Sequence, residues 1–304
     1  MPFYYIRAFA RLIQFVDTNG PYEIIHSFLF QANIVGRLAA LFCRAGNVSS
    51  VRVIEVEKKW QHIVSRLTGF MANTITVNSR RLYEFVLKTE KVPPEKVFLI
   101  NNYADIKSFG LVGRSAELRK RFGCSDGDYL VVSAGRLSKQ KGFEYLIEAV
   151  NLLRAEAPGV VKAVIAGEGT ERAVLQNMIR ARRLEDRVVL AGALDYEDTL
   201  CLIASSDLFV LPSLWEGFPN VVLEAIAAGV TVVATASSNV EGFIEDEFIV
   251  EPSDAVALAE KIIFAIKNPA IAKESVRKSA ARLVDFSPEN VFPKYFEIYK
   301  KLVP

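Results

Sequence analysis

Between residues 129 and 234 the chain alternates short, almost wholly apolar runs with segments whose apolar residues return every three or four positions. Residues 129–134, 160–166, 187–191, 207–212 and 230–234 read as strands buried on both faces. Phe143, Leu146, Ile147, Val150 and Leu153 form one helical stripe; Leu175, Met178 and Ile179 a second; Val222, Leu223, Ile226 and Ala227 a third. A further helix is expected near 195–205. Such alternation folds as a parallel sheet with right-handed crossover helices on both faces, a doubly wound α/β domain.

Two of these strand-to-helix turns carry chemistry. In LPSLWEGFPNVVLEAIAAG, Pro212 ends a strand because it has no N–H for the ladder, and Gly217 and Pro219 keep the following loop open. Glu216 lies in that loop and Glu224 one turn into the helix, whose first amides, about 218–222, form an end that attracts phosphate and sugar oxygens. A plain structural reading has Glu216 favouring the helix end and Glu224 in solvent. The apolar neighbours of Glu224 argue against that reading, because a buried carboxylate needs a donor-rich partner. In VVSAGRLSKQKGFEYLIEAVNLL, the turn at Gly135 is followed by Arg136 and Lys141. Both cations stand at the carboxyl end of a strand, where open α/β sheets bind ligands.

The run EGFPNVVLEA resembles the E-x7-E signature of the family 4 retaining glycosyltransferases, and GRLSKQKG resembles that family's diphosphate clamp. The resemblance implies a GT-B-type α/β architecture, two Rossmann-like domains facing a cleft. It implies that Glu216 contacts the transferred sugar, that Glu224 binds the ribose hydroxyls, and that Arg136 and Lys141 grip the donor's phosphates beside Gly135. Glu216, Arg136 and Lys141 form the expected catalytic set. Gly217, Phe218, Pro219, Asn220 and Val221 complete the donor site. Leu194, after RVVLAG, stands where the family meets the nucleobase, with a simple core leucine the equal alternative. Protein cations would offset the leaving group's charge, so no metal and no cofactor is expected, the nucleoside-diphosphate sugar being a co-substrate.

The same resemblance divides the chain into a partial N-terminal acceptor-side domain (1–110), a nucleotide-sugar domain (111–285) and a closing helix (286–304) that crosses back to the first domain. A strand at 22–25 leads to His26, matching the family stretch in which a strand ends in His before the acceptor-facing helix. A further strand at 51–54 brings Arg52 or Glu55 to the place where many relatives have a sugar-binding His, and His26 and Arg52 are the acceptor-side candidates. Asn101-Asn102-Tyr103 replaces a Pro-Asn-Gly turn, keeping an Asn able to take left-handed angles. The first strands of the family's N-terminal domain have no counterpart, so the chain is expected to start partway through that domain. After TVVATAS, the run SSNVEGFIEDEF lacks the family's paired glycines. Two functions follow: retaining transfer of a hexose to a glycan or lipid-linked acceptor in cell-surface polysaccharide synthesis, or a non-catalytic nucleotide-sugar-binding chain that partners another glycosyltransferase.

Charge and cysteine usage narrow the setting. Residues 1–110 hold fourteen Lys and Arg against eight Asp and Glu, although the whole chain is only +2. A basic first domain suits an anionic acceptor or peripheral contact with an anionic membrane, as well as an ordinary solvated surface; no nucleic-acid motif accompanies it. MPFYYIRAFARLIQFV, with Arg7, Arg11 and Gln14 on one stripe, reads as an interfacial helix or a domain helix rather than a membrane span. Cys43, Cys124 and Cys201 are odd in number and far apart, which suits a reducing cytoplasm rather than disulfides or zinc. The G-x-G of AGEGT is too short for a dinucleotide fingerprint, and Asp126-Gly127-Asp128 reads as a turn rather than a metal site.

Overall fold

A computed structural model describes residues 2–54, 59–104, 113–157 and 159–303, without the side chains of 2–6 and 156. Glu55 and residues 105–112 lie outside the described residues. The chain forms two compact units, Met1–Tyr103 with Pro288–Pro304, and Ala104–Ser287.

The first unit is built on β1 (Ile24–Phe28), β2 (Gly46–Val51), β3 (Thr74–Val77) and β4 (Val97–Leu99), all parallel and in that order. Both strands expected near its start are displaced. The ladder with β2 holds β1 from Ile24↔Gly46 to Phe28↔Ser50, so His26 sits inside the strand rather than after it. β2 ends at Val51, before the expected 51–54, and its sequence GNVSSV hides a buried strand behind polar residues. Those residues are buried because each finds a partner: Ser49 Oγ donates to Asn47 Oδ1 at 2.9 Å, and the Asn47 amide donates to Asn73 Oδ1 at 2.8 Å. Asn101, Asn102 and Tyr103 keep negative φ, so neither Asn uses its tolerance of left-handed angles.

The crossover helix Leu29–Cys43 buries Arg37, which donates to Ser49 Oγ (3.1 Å) and Thr68 Oγ1 (3.0 Å) and pairs with Glu90 at 3.7 Å. Both side chains of the pair are almost wholly enclosed. Glu90→Gln strands the guanidinium and should cost roughly 3–5 kcal/mol of this unit's stability, read by chemical denaturation. The closing helix, Pro288–Leu302, packs Val291 and Ile298 with Val48 and Ile100 of the same unit. The opening helix, Pro2–Asn19, is joined to Leu29–Cys43 by an edge-to-face contact of Phe9 with Phe42, 5.6 Å between centroids.

The second unit contains β5 (Tyr129–Ala134), β6 (Val161–Ala166), β7 (Val188–Gly192), β8 (Leu208–Leu211), β9 (Thr231–Thr235) and β10 (Ile249–Val250). They form one parallel sheet ordered β10-β9-β8-β5-β6-β7. Read from β7, this is the Rossmann order, and the direction of winding reverses between β5 and β8. Near-continuous burial of Leu130–Val132, Ala163–Ile165 and Leu208–Leu211 follows from helices covering both faces. Residues 113–128 are anchored to this unit: Arg119 donates to Asp207 Oδ2 at 2.9 Å and to the Ser205 carbonyl at 3.0 Å. Asp128 accepts from the Ser125 amide at 2.7 Å, the turn expected for Asp126-Gly127-Asp128. All three cysteines are free thiols.

Candidate active site

The loops after β5 and β8 meet at the reversal of the sheet. Lys141 and Glu216, 75 positions apart, form an ion pair of 2.5 Å between Nζ and Oε1, with side chains 17% and 10% exposed. Ser213 Oγ donates to the same carboxylate oxygen at 2.8 Å. Gln140 ties the two loops through its own backbone and side chain: its carbonyl accepts from the Leu214 amide at 2.8 Å and its Nε2 donates to the Trp215 carbonyl at 2.9 Å. Gly142 permits this approach, since at φ 61° an added Cβ would lie 2.2 Å from the Pro212 carbonyl oxygen. Gly142→Ala should therefore destabilise the unit by more than about 1 kcal/mol and weaken any ligand of Lys141, measured by thermal melting and titration.

The glycines of AGEGT also serve this junction. A Cβ on Gly167 would fall 1.9 Å from the Gly135 carbonyl oxygen, so the turn after β6 lies flat against the one after β5. Leu137 N–H completes the contact by donating to the Glu168 carbonyl at 2.9 Å.

A third loop, after β9, fixes the backbone of Glu216. The Glu216 amide donates to the Ser237 carbonyl at 3.1 Å, and Asn239 Nδ2 donates to the carbonyls of Glu216 (2.7 Å) and Gly217 (2.6 Å). Ser213 is held in turn by Thr235 and Ser237, both donating to its carbonyl. The run SSN, which lacks the family's glycines, thus buttresses the loop. Gln140, Ser213 and Asn239 were not foreseen. The only sequence hint was position, small polar residues just past apolar strands.

Arg136 is exposed, and among the described residues its guanidinium has no ion-pair or hydrogen-bond partner. Glu224 is on the helix Asn220–Ala227, between buried Leu223 and Ala225. Its carboxylate likewise has no side-chain partner among the described residues, and burial raises its pKa above the usual 4.5. Pro219 precedes the first turn of this helix, Asn220 and Val221 begin it, and Phe218 stacks on Phe286 at 5.1 Å. Leu194 is half-buried and packs against the core of the second unit. Among the described residues no cluster of three or more His, Cys, Asp and Glu could hold a metal ion.

His26 and Arg52 lie in the other unit and are engaged internally. The two ring nitrogens of His26 lie 2.7 Å from Tyr299 Oη and 2.8 Å from Ser50 Oγ, and its ring stacks on Phe28 at 4.4 Å. Arg52 donates to Asn102 Oδ1 at 3.1 Å and to Tyr295 Oη, with its guanidinium over the Phe28 ring. Both acceptor-side candidates thus contact the closing helix, His26 through Tyr299 and Arg52 through Tyr295. Burial first, and Arg52 second, lowers the His26 pKa from 6.5 to about 4. Above pH 6.5 the ring is neutral whether the chain is folded or not. Between pH 6.5 and about 4 only the unfolded chain takes the proton, so the first unit should lose stability through that window. His26→Gln should flatten this slope in thermal melts recorded against pH.

A Rossmann-ordered sheet whose loops bring Lys141 and Glu216 together at its reversal point, preceded by a second parallel α/β unit, defines a GT-B-type protein. Anabaena HepE, solved in complex with UDP and glucose, shares this fold with a TM-score of 0.84 at 22% identity, over 96% of this chain and 81% of its own. The chain belongs to the glycosyl transferases group 1 family, whose model matches residues 115–283, the entire span of the loops described above. An alpha-D-kanosaminyltransferase of Streptomyces kanamyceticus is 30% identical over 76% of this chain and 60% of its own length. The UDP-Gal:alpha-D-GlcNAc-diphosphoundecaprenol alpha-1,3-galactosyltransferase of Escherichia coli is 27% identical over 75% and 61%. The chain spans about 60% of the length of the first curated relatives it matches.

Proposed function

We propose that the second unit binds a nucleoside-diphosphate sugar across the ends of β5 and β8 and that the protein transfers the hexose to an acceptor hydroxyl with retention of configuration. The observation that carries this reading is the meeting of Lys141 with Glu216 at the sheet reversal, together with Arg136 and Glu224, whose side chains have no partner among the described residues. Arg136 and Lys141 take the diphosphate, the guanidinium by two parallel hydrogen bonds and the ammonium as a point charge. Lys141 leaves Glu216 to do so, and the freed carboxylate accepts from hydroxyls of the sugar. Glu224 accepts from the ribose hydroxyls.

As the bond from the anomeric carbon to the phosphate oxygen breaks, the two cations offset the charge that develops on the leaving group. The departing phosphate oxygen takes the acceptor's proton, and the acceptor oxygen bonds to the anomeric carbon on the face just vacated. No protein nucleophile takes part. The acceptor is a glycan or a lipid-linked glycan; the Escherichia coli relative, whose name specifies a diphosphoundecaprenol-linked acceptor, supports the second. Synthesis of cell-surface polysaccharide from the cytoplasmic side fits such an acceptor, and no described helix is long and apolar enough to cross a membrane.

A second reading is donor binding without turnover, in partnership with another chain. Incubation with UDP-, GDP- and ADP-hexoses and a panel of glycan and polyprenyl-diphosphate acceptors, followed by phosphorus and proton NMR, separates the two. Release of nucleoside diphosphate with a retained anomeric configuration supports transfer. Saturable binding with no release selects the second reading, and inversion of configuration contradicts the mechanism.

A further inference from the structure

The first unit carries an apolar surface that the donor chemistry does not use. The helix Lys59–Thr68 and the short 3-10 turn Gly69–Met71 expose Trp60 (56%), Ile63 (62%), Leu67 (67%) and Phe70 (76%). Steps of three, four and three residues put these four on one stripe. On the neighbouring helix Leu29–Cys43, Leu41 and Phe42 are 59% and 71% exposed. The two helices pack side by side, since Arg37 of the second donates to Ser65 and Thr68 of the first and Phe30 meets Trp60 edge to face at 5.3 Å. Isolated exposed leucines are ordinary, but large apolar residues aligned on adjacent helices mark an interaction surface.

The charges on these two helices have one sign. Neither helix contains an Asp or Glu. Lys59 lies four positions before Ile63 and Arg66 four positions before Phe70, on the same side of the helix, and Arg44 lies two positions after Phe42. All three cations are exposed and have no partner among the described residues. Right-handed crossovers put both helices on one face of the sheet. A strand added at the β1 edge would extend the sheet in its own plane and leave that face open.

We propose that this face docks on an anionic lipid bilayer, with Trp60, Ile63, Leu67, Phe70, Leu41 and Phe42 entering the headgroup boundary while Lys59, Arg66 and Arg44 meet lipid phosphates. Charge complementarity selects the bilayer over a protein partner: unopposed cations beside aromatic and leucine side chains are the makeup of interfacial helices, and indole favours that boundary. Docking places the first unit at the membrane. It does not depend on the donor assignment, so either can fail alone.

The test is sedimentation of the full chain with phosphatidylcholine vesicles, with and without about a third of phosphatidylglycerol. Expected is binding to the anionic vesicles that weakens as salt rises and is at least about tenfold poorer on neutral ones. The exposed-site variants Leu67→Gln/Phe70→Gln and Lys59→Glu/Arg66→Glu should each lose about tenfold or more, while circular dichroism and thermal melting of each variant serve as the control for folding. In a Trp215→Phe background, Trp60 emission should shift to the blue on adding anionic vesicles. Failure of the wild-type chain to sediment, equal binding by wild type and variants, or light scattering that shows a patch-dependent dimer without vesicle binding would each overturn the proposal.

Discussion

Lys141→Ala should weaken UDP or GDP roughly ten- to a hundredfold, the loss of one or two charge-assisted hydrogen bonds of ~1.5–3 kcal/mol in all, and should leave the free nucleoside almost unaffected. The nucleoside has no phosphate for the ammonium to meet. The loss has a second component, because Glu216 is only 10% exposed and Lys141 is its only ion-pair partner among the described residues. Without the lysine, its carboxylate faces the incoming diphosphate unneutralised. Glu216→Gln should therefore bind nucleoside diphosphate as well as the wild type or better, since the lysine no longer has to leave a carboxylate, while turnover falls. The Lys141→Ala/Glu216→Gln double variant should recover part of the affinity lost by Lys141→Ala, and titration calorimetry of the four proteins forms the cycle. Additive effects would show that the pair is not exchanged for phosphate. Arg136→Lys should also bind diphosphate poorly, because an ammonium cannot supply the planar two-pronged contact.

Glu224→Ala should show the opposite selectivity, weakening nucleoside and nucleoside diphosphate alike by at least about tenfold, the worth of hydrogen bonds to a charged acceptor. The ribose is common to both ligands. The carboxylate must be ionised to accept from two hydroxyls, and burial raises its pKa above 4.5. Affinity for the nucleoside should hold at neutral pH and fall on acidification at a pH above that of an ordinary carboxylate. Glu224→Gln should abolish that dependence. A nucleoside affinity that is flat down to the ordinary carboxylate range, or a loss confined to the diphosphate, would remove Glu224 from the ribose.

Much of the second unit was legible because its strands are buried on both faces and so are apolar along their whole length. Residues 129–134 coincide with β5, and the loop and helix positions of Glu216 and Glu224 follow from Pro212 and the apolar spacing after Val221. What periodicity could not show was contact across the sheet. Lys141 and Glu216 meet because β5 and β8 are neighbours, and neighbour relations of parallel strands are set by crossovers rather than by local sequence. The buttress from Ser237 and Asn239 was hidden for the same reason.

The first unit was harder to read. Its β2 is buried through hydrogen bonds of Asn and Ser instead of apolar side chains, so a hydropathy pattern shifts it toward Val51. His26 and Arg52 drew attention as residue types suited to chemistry, and each also meets a tyrosine more than two hundred positions away, Tyr299 and Tyr295. A lone histidine gives no local sign of such a partner.

Calorimetric titration of the unmodified chain with UDP-, GDP- and ADP-hexoses, with and without EDTA, bears most directly on the donor site. The expected result is saturable binding of one of the three, one molecule per chain, displaced by the matching nucleoside diphosphate and unchanged by the chelator. Absence of saturable binding by all three at millimolar concentration would contradict it.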